Sequence, residues 1–426
     1  MHINRWSDKR WWILTPLFFV TYSLAFLDRA NYGFAAAAGI NVDLGITQAT
    51  SSLIGSLFFL GYFIFQIPIG VSIQRYSVRR VLSVCLVAWG VLAALTGVVT
   101  NVTTLMLIRF SLGVVECAVM PSILILVSNW FTKRERSRVN AALFLGNPVT
   151  VLWMSIASGY LVQAYGWRIM FVAQGLPAVL WGVVWFLVVR DRPEQVSWLS
   201  EKEKATLQTT LAEEQKLLNP IKNYREAYRT SAVWILGGMM FFMSIGFTGF
   251  LIWLPSILRS ASSLSMVSTG WLASVPYFCA VFVMLPTAWL SDRLQNRKIF
   301  ITTSLSLASA TFFGLWLLGS SHFWSSFLLL TIAGVSMYVP GGPYFALIPE
   351  ILPKNVIGGA VALINSLSAL GAFCGSYLVG LLTGPTGSPH TSYLLMGVSL
   401  FIAVLFAAAI RQRTQRASID FAHVRS

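Results

Sequence analysis

The chain has 426 residues, 56% of them hydrophobic and 11% charged, and its mean hydropathy is +0.71. So little charge over such a length excludes a water-soluble globule and defines a polytopic membrane protein. The formal net charge of +15 does not point to nucleic acid, which needs basic residues on one continuous face of a soluble domain; here they sit in short segments between apolar runs, and no nucleic-acid partner is expected.

Basic residues from Arg5 to Arg10 precede the first apolar run. That run is too long for a secretory h-region and no small-x-small cleavage site follows it before Asp43, so it is expected to be retained. At the ~20 residues needed to cross ~30 Å of hydrocarbon, the sequence predicts twelve spans: 11–39, 50–73, 81–99, 103–129, 138–163, 168–190, 232–258, 266–290, 299–318, 324–349, 358–383 and 391–410. The expected fold is an all-α membrane protein. If the N-terminus is cytoplasmic, 26 of the 30 Lys and Arg lie in cytoplasmic segments; Arg168 and Arg259 lie outside, and Arg29 and Arg109 lie within spans. This asymmetry predicts both termini in the cytoplasm.

One polar insertion, 191–231, separates a six-span half at 1–190 from a second at 232–410, and a basic tail follows at 411–426. Within the insertion, "SEKEKATLQTTLAEEQKLL" opens with the Ser-x-x-Glu of a capping box and predicts an amphipathic helix on the cytoplasmic surface. The halves repeat. "GVSIQRYSVRR" (70–80) and "AWLSDRLQNRK" (288–298) each follow the second span of their half and set Gln74, Arg75, Arg79 and Arg80 against Asp292, Arg293, Arg297 and Lys298, 218 residues on. Two pseudo-symmetric six-helix bundles with a site between them near the midplane is the transporter architecture that such a repeat implies.

Four cysteines (Cys85, Cys117, Cys279, Cys374) lie far apart inside apolar runs, and four histidines (His2, His322, His390, His423) are terminal or in predicted loops. They support neither disulfides nor a metal site. No nucleophile and base are spaced for catalysis, so no enzyme and no cofactor are expected.

The buried charges are few: Asp28, Arg29, Arg109 and Glu116 lie deep in predicted spans. By insertion scales a charge at mid-bilayer costs ~2.5–3.5 kcal/mol, and ionisable groups retained there mark transport pathways. Asp28 and Arg29 are adjacent and point ~100° apart, so they cannot share one partner. Arg109 and Glu116 are two turns apart on one face of span four. The arrangement expected is Arg109 near one of the acids and Arg29 facing a central cavity. At +218 the counterparts of Asp28, Arg109 and Glu116 are Gly246, Phe327 and Gly334, which confines the charge chemistry to the first half.

"FLDRANYGFA" (26–35) and the loop repeat carry a resemblance covering essentially the whole chain. The loops resemble the signature loop of the major facilitator superfamily. The first-span motif resembles that of its anion:cation symporter family, whose bacterial members import sugar acids and other small carboxylates with protons. The resemblance implies a multi-pass protein of the bacterial inner membrane, expected to act as a monomer with the proton as coupling ion. It assigns proton coupling to Asp28 and Glu116 and the substrate carboxylate to Arg29, with Arg109 beside it, and makes the loop residues Arg75, Arg79, Arg80, Asp292, Arg293 and Arg297 cytoplasmic gating elements. The family loop carries an acid where this chain has Gln74, so the inter-bundle ion pair is expected only at Asp292.

Neutral groups are expected to select the substrate. Tyr62 resembles a family position that hydrogen-bonds substrate. Asn147 and Asn365, again 218 apart, are placed to face one another across the cavity, or else to bond between helices. "VPGGPYFALIP" predicts a broken span ten with Tyr344 beside the break. Gly371 and Gly375 read as close helix packing. These neutral groups favour a hexonate-like sugar acid; a tartrate-like dicarboxylate and a hydroxylated aromatic acid are the alternatives. Drug–proton antiport fits less well, because span five lacks the Gly-Pro-rich signature of exporters and Arg29 and Arg109 would repel cations. A non-transporting sensor of the same fold is a third class.

Overall fold

A computed structural model describes residues 9–73, 76–216, 229–261, 264–294, 296–319, 322–352, 357–383 and 389–410. Every described element that crosses the interior is a helix, as hydrocarbon requires when no water can satisfy free backbone groups. The first half comprises α1 (Lys9–Ala37), α2 (Gln48–Ile73), α3 (Val78–Thr96), α4 (Val102–Glu116), α5 (Val119–Trp130) and α6 (Lys133–Val188); α7 (Glu201–Lys216) lies in the insertion. The second half comprises α8 (Ser231–Ala261), α9 (Met266–Leu294), α10 (Arg297–Leu318), α11 (Phe323–Tyr338), α12 (Gly341–Ile351), α13 (Ile357–Thr383) and α14 (His390–Ala409).

Among the described residues, eleven helical runs are long and apolar enough to cross a membrane. α6 counts twice: its 56 residues would extend ~84 Å as one helix, and it folds back at Gly166, whose φ of 80° suits a residue without Cβ. Twelve crossings result. Two, α3 and α6, begin about a turn earlier than the apolar pattern indicates, because polar caps extend them: Ser77 Oγ accepts from the Arg80 N–H (3.4 Å), and Thr132 and Glu135 form a capping box at α6. The capping box expected at Ser200 is present too, with Glu203 Oε2 accepting from the Ser200 N–H at 2.9 Å. α7 is tied to the first bundle by an Arg136–Glu214 ion pair (3.4 Å).

Span ten is broken as expected, though at Val339–Pro340 rather than at the glycines, and span four is broken as well, at Cys117–Ala118. A proline stands third in each following helix, Pro121 in α5 and Pro343 in α12, and its missing N–H leaves a carbonyl of the preceding turn unbonded. The two breaks are thus related by the same pseudo-symmetry as the bundles.

The faces of the molecule differ. On the face opposite the chain's ends the bundles meet backbone to backbone. A Cβ added at Gly33 (α1) would overlap the Ile252 carbonyl of α8, and one at Gly270 (α9) would overlap the Ser155 carbonyl of α6. Gln48 Nε2 donates to the Gly380 carbonyl (3.2 Å), and the Val267 N–H donates to Gln163 Oε1 (3.0 Å). Within the second bundle a Cβ at Gly371 or Gly375 would likewise overlap α8 backbone, as the small-residue spacing predicts. Gly33→Val is expected to hold the opposite face open. A cysteine introduced at Ser52, which is fully buried at that seal, should then react several-fold faster with a bulky thiol reagent added from that side; an unchanged rate would remove Gly33 from the seal.

Candidate functional site

α1 carries two functional stripes set by its period of 3.6 residues. Tyr22, Phe26, Arg29 and Gly33 share one face, which at Gly33 meets Ile252 of the second bundle, whereas Asp28, Asn31, Tyr32 and Ala35 share another. Asp28 is enclosed, 2% exposed. Its Oδ1 accepts from Asn31 Nδ2 (2.8 Å), and its Oδ2 accepts from the indole N–H of Trp89 on α3. Arg109 is 1% exposed. It donates one long bond to the Asp28 carbonyl (3.4 Å) and lies over the rings of Tyr32 (5.2 Å) and Phe58 (5.6 Å), while its Nε and Nη2 have no partner among the described residues.

Arg29 differs. Its Nε and Nη2 both donate to Oε1 of Glu116, at 2.6 and 2.5 Å, yet its side chain keeps 18% exposure while that of Glu116 has none. The guanidinium is boxed by Phe26 (4.7 Å), Tyr62 (5.0 Å) and Phe58 (5.7 Å). Phe58 thus separates the two buried guanidinium groups. Glu116 Oε2 is buried without a hydrogen bond, and the residue ends α4 at the break in span four, the negative end of a helix dipole and a poor place for a carboxylate unless a cation offsets it.

The expected arrangement is met in part. Arg109 lies beside Asp28, and Arg29 keeps part of its side chain exposed but is also held by Glu116. Of the neutral groups, Tyr62 flanks Arg29. Asn147 Oδ1 accepts from the Tyr338 hydroxyl of the other bundle (3.0 Å) rather than facing Asn365, which is half-buried on α13. Tyr344 is 1% exposed and its hydroxyl donates to the Leu236 carbonyl (3.1 Å), so it ties α12 to α8 instead of lining a cavity. Its neighbour Phe345 is partly exposed and is stacked on Phe144 of α6 across the bundle interface (4.7 Å).

Among the gating residues, Arg79 donates through Nε to the Phe186 carbonyl (2.6 Å), and its N–H is capped by Asp191 (2.7 Å). In the other half Arg297 pairs with Glu350 (2.6 Å), Lys298 donates to the Ala408 carbonyl (2.6 Å), and Arg293 lies over the Trp289 ring (5.3 Å). Each loop is thereby fastened to the last span of its own bundle. Gln74, Arg75 and the side chain of Asp292 lie outside the described residues.

Sequence reasoning missed Trp89, Asn31, Tyr22, Phe144 and Tyr338. Only Asn31 left a signal, three residues from Asp28 on the same helix.

Twelve crossings in two bundles, broken helices at the interface and a cluster of four intramembrane charges define a membrane transporter rather than an enzyme. The Major Facilitator Superfamily profile matches residues 18–373 and 241–425, and the chain belongs to that superfamily. It is 30% identical to a protein of Agrobacterium vitis named for tartrate transport, over 92% of this chain and 88% of the relative. It is 28% identical to the "Quinolone resistance transporter" of Acinetobacter baumannii over 96% of both chains. Its fold is similar to the crystal structure of a bacterial homologue of the human lysosomal transporter Spinster, in an inward-facing and unoccupied conformation, with a TM-score of 0.71, 18% identity, and coverage of 94% of this chain and 96% of that one.

Proposed function

We propose that the protein is a proton-coupled symporter that brings a small organic anion across the bacterial inner membrane by alternating access, with the chain's ends in the cytoplasm. The observation that carries this reading is the Arg29–Glu116 pair: a cation held through a single carboxylate oxygen, with its remaining edge exposed in an otherwise closed cluster. An incoming carboxylate takes the guanidinium edge with paired hydrogen bonds, a geometry that arginine supplies. Glu116 then loses its counter-charge in a desolvated site, where a carboxyl group favours the protonated form. Anion binding and proton uptake become one event. Release on the cytoplasmic side returns Arg29 to Glu116.

Asp28 takes a different part. Its two oxygens are each engaged by a donor and Arg109 lies alongside, so it holds the geometry of α1, α3 and α4 while Glu116 carries the proton. The seal on the face opposite the chain's ends corresponds to the inward-facing stage of the cycle. The name of the A. vitis relative supports an organic-acid substrate. The name of the A. baumannii relative favours drug export; two buried guanidinium groups oppose that for a cationic drug. The preference for a sugar acid rested on Tyr62, Asn147, Tyr344 and Asn365, of which Asn147 and Tyr344 are engaged within the protein, so the substrate is taken here as a small carboxylate.

Proteoliposomes given an inward proton gradient and a panel of labelled gluconate, tartrate and 3-hydroxybenzoate test this. Accumulation of at least one of them that collapses with a protonophore is expected. Uptake indifferent to the gradient, or efflux of a cationic dye in its place, would sink the proposal.

A further inference from the structure

The rings around Arg29 form one connected surface. Phe26, Phe58 and Tyr62 box the guanidinium. Phe26 packs edge-on against Tyr22 (5.0 Å), and Tyr22 does the same to Phe144 (6.4 Å). Phe144 stacks on Phe345 of the second bundle (4.7 Å, 18° between planes). A ladder of aromatic faces therefore leads from the exposed edge of Arg29 across the bundle interface. Tyr62, Phe144 and Phe345 each keep part of their surface accessible.

Polar partners are scarce by comparison. The Tyr344 hydroxyl donates to the Leu236 carbonyl and Asn147 Oδ1 accepts from Tyr338, while the Tyr32 hydroxyl is engaged by Ser51. What remains is the Tyr22 hydroxyl and the Tyr62 hydroxyl beside the guanidinium, together with two buried groups a step further along, Ser23 and Gln66, whose Oγ and Oε1 have no hydrogen bond among the described residues. These can meet a hydroxyl or two, but not the full row of hydroxyls on a hexonate. A sugar acid drawn into this space would leave hydroxyls desolvated and unpaired, a loss that selects strongly against a ligand. A flat ring makes offset or edge contacts with the ladder instead. A cationic ring is disfavoured, because the faces that would attract it already hold Arg29.

We propose that the substrate is an aromatic carboxylate, bare or singly hydroxylated, its carboxylate on Arg29 and its ring on the ladder at Phe144 and Phe345. The inference rests on Arg29 as the carboxylate anchor. On binding, the ring inserts where Phe144 and Phe345 now stack, so the two bundles would close on the ligand rather than on each other.

The test is the melting temperature of the purified protein at fixed pH, titrated with benzoate, 3-hydroxybenzoate, gluconate, tartrate, benzyl alcohol and benzylamine, since a ligand of the native state raises it by mass action. Both benzoates are expected to act at concentrations about tenfold or more below gluconate and tartrate, as two ring contacts would give, and the alcohol and amine to have no effect. Phe144→Leu and Phe345→Leu keep the apolar volume and remove the rings; each should cut the benzoate advantage to about threefold or less without changing the response to gluconate. Gluconate or tartrate binding as tightly as the benzoates, or leucine variants with unchanged benzoate affinity, overturns the aromatic assignment and leaves the anchor standing. Stabilisation by benzyl alcohol equal to that by benzoate, or by no carboxylate at all, overturns both.

Discussion

Proteoliposomes containing Glu116→Gln are expected to lose accumulation driven by a pH gradient while keeping counterflow of labelled substrate. Glutamine has the shape of the protonated acid and cannot ionise, so the variant mimics a carrier whose proton never leaves. Exchange needs only that the loaded protein reorient, which it still can. Uphill uptake needs the proton released inside, which it cannot. The substitution also frees Arg29, now bound to Glu116 at 2.5–2.6 Å, so anion affinity should be retained or raised. Asp28→Asn supplies the contrast. Trp89 and Asn31 each direct a donor at one carboxylate oxygen, and an amide offers one acceptor where two are needed, leaving an N–H facing an N–H. That misfit should depress counterflow and uptake together. If Glu116→Gln still concentrates substrate in response to an inward proton gradient, Glu116 is not the coupling group.

Arg29→Lys should weaken carboxylate binding about ten- to a hundredfold, the loss of a charge-assisted hydrogen bond contributing ~1.5–3 kcal/mol. The charge survives the change but the planar edge does not. A lysine can reach either Glu116 or the substrate through one ammonium, and it is more strongly hydrated than a guanidinium, which adds to the loss. Expression and monodispersity should stay near wild type, because a cation remains opposite Glu116 and the buried acid is not left unpaired. Titration calorimetry with the best ligand of the panel decides it: affinity within about threefold of wild type would remove Arg29 from the site.

Much of this could be read before any coordinates. The twelve crossings followed from apolar length, and the four buried charges from a short census. The break in span four was hidden although "ECAVMPS" holds Pro121, because prolines also stand inside unbroken spans, Pro16 in α1 and Pro68 in α2, so a single proline marks no particular interruption. The partner of Asp28 was hidden for another reason. In a soluble helix polarity shows which side looks inward, but a span bordered by lipid is apolar on every side, so nothing marked Trp89 as turned toward the acid. Tyr344 was assigned to the cavity, and Tyr338 passed over, because spacing puts the two, six residues apart, ~120° apart around the span but does not show which of those sides meets the other bundle.

The seal at Gly33 and Ile252 is made of main chain, and this bears on how such a carrier can change over time. Substitutions that retune a binding cavity act through side chains, at positions such as Tyr22, Phe144 and Phe345. Main-chain contact at the seal is indifferent to them. Leak-tightness and choice of cargo therefore reside in separable parts of the molecule, and a lineage can drift from one cargo to another through working intermediates, none of which has to pass through a leaking protein.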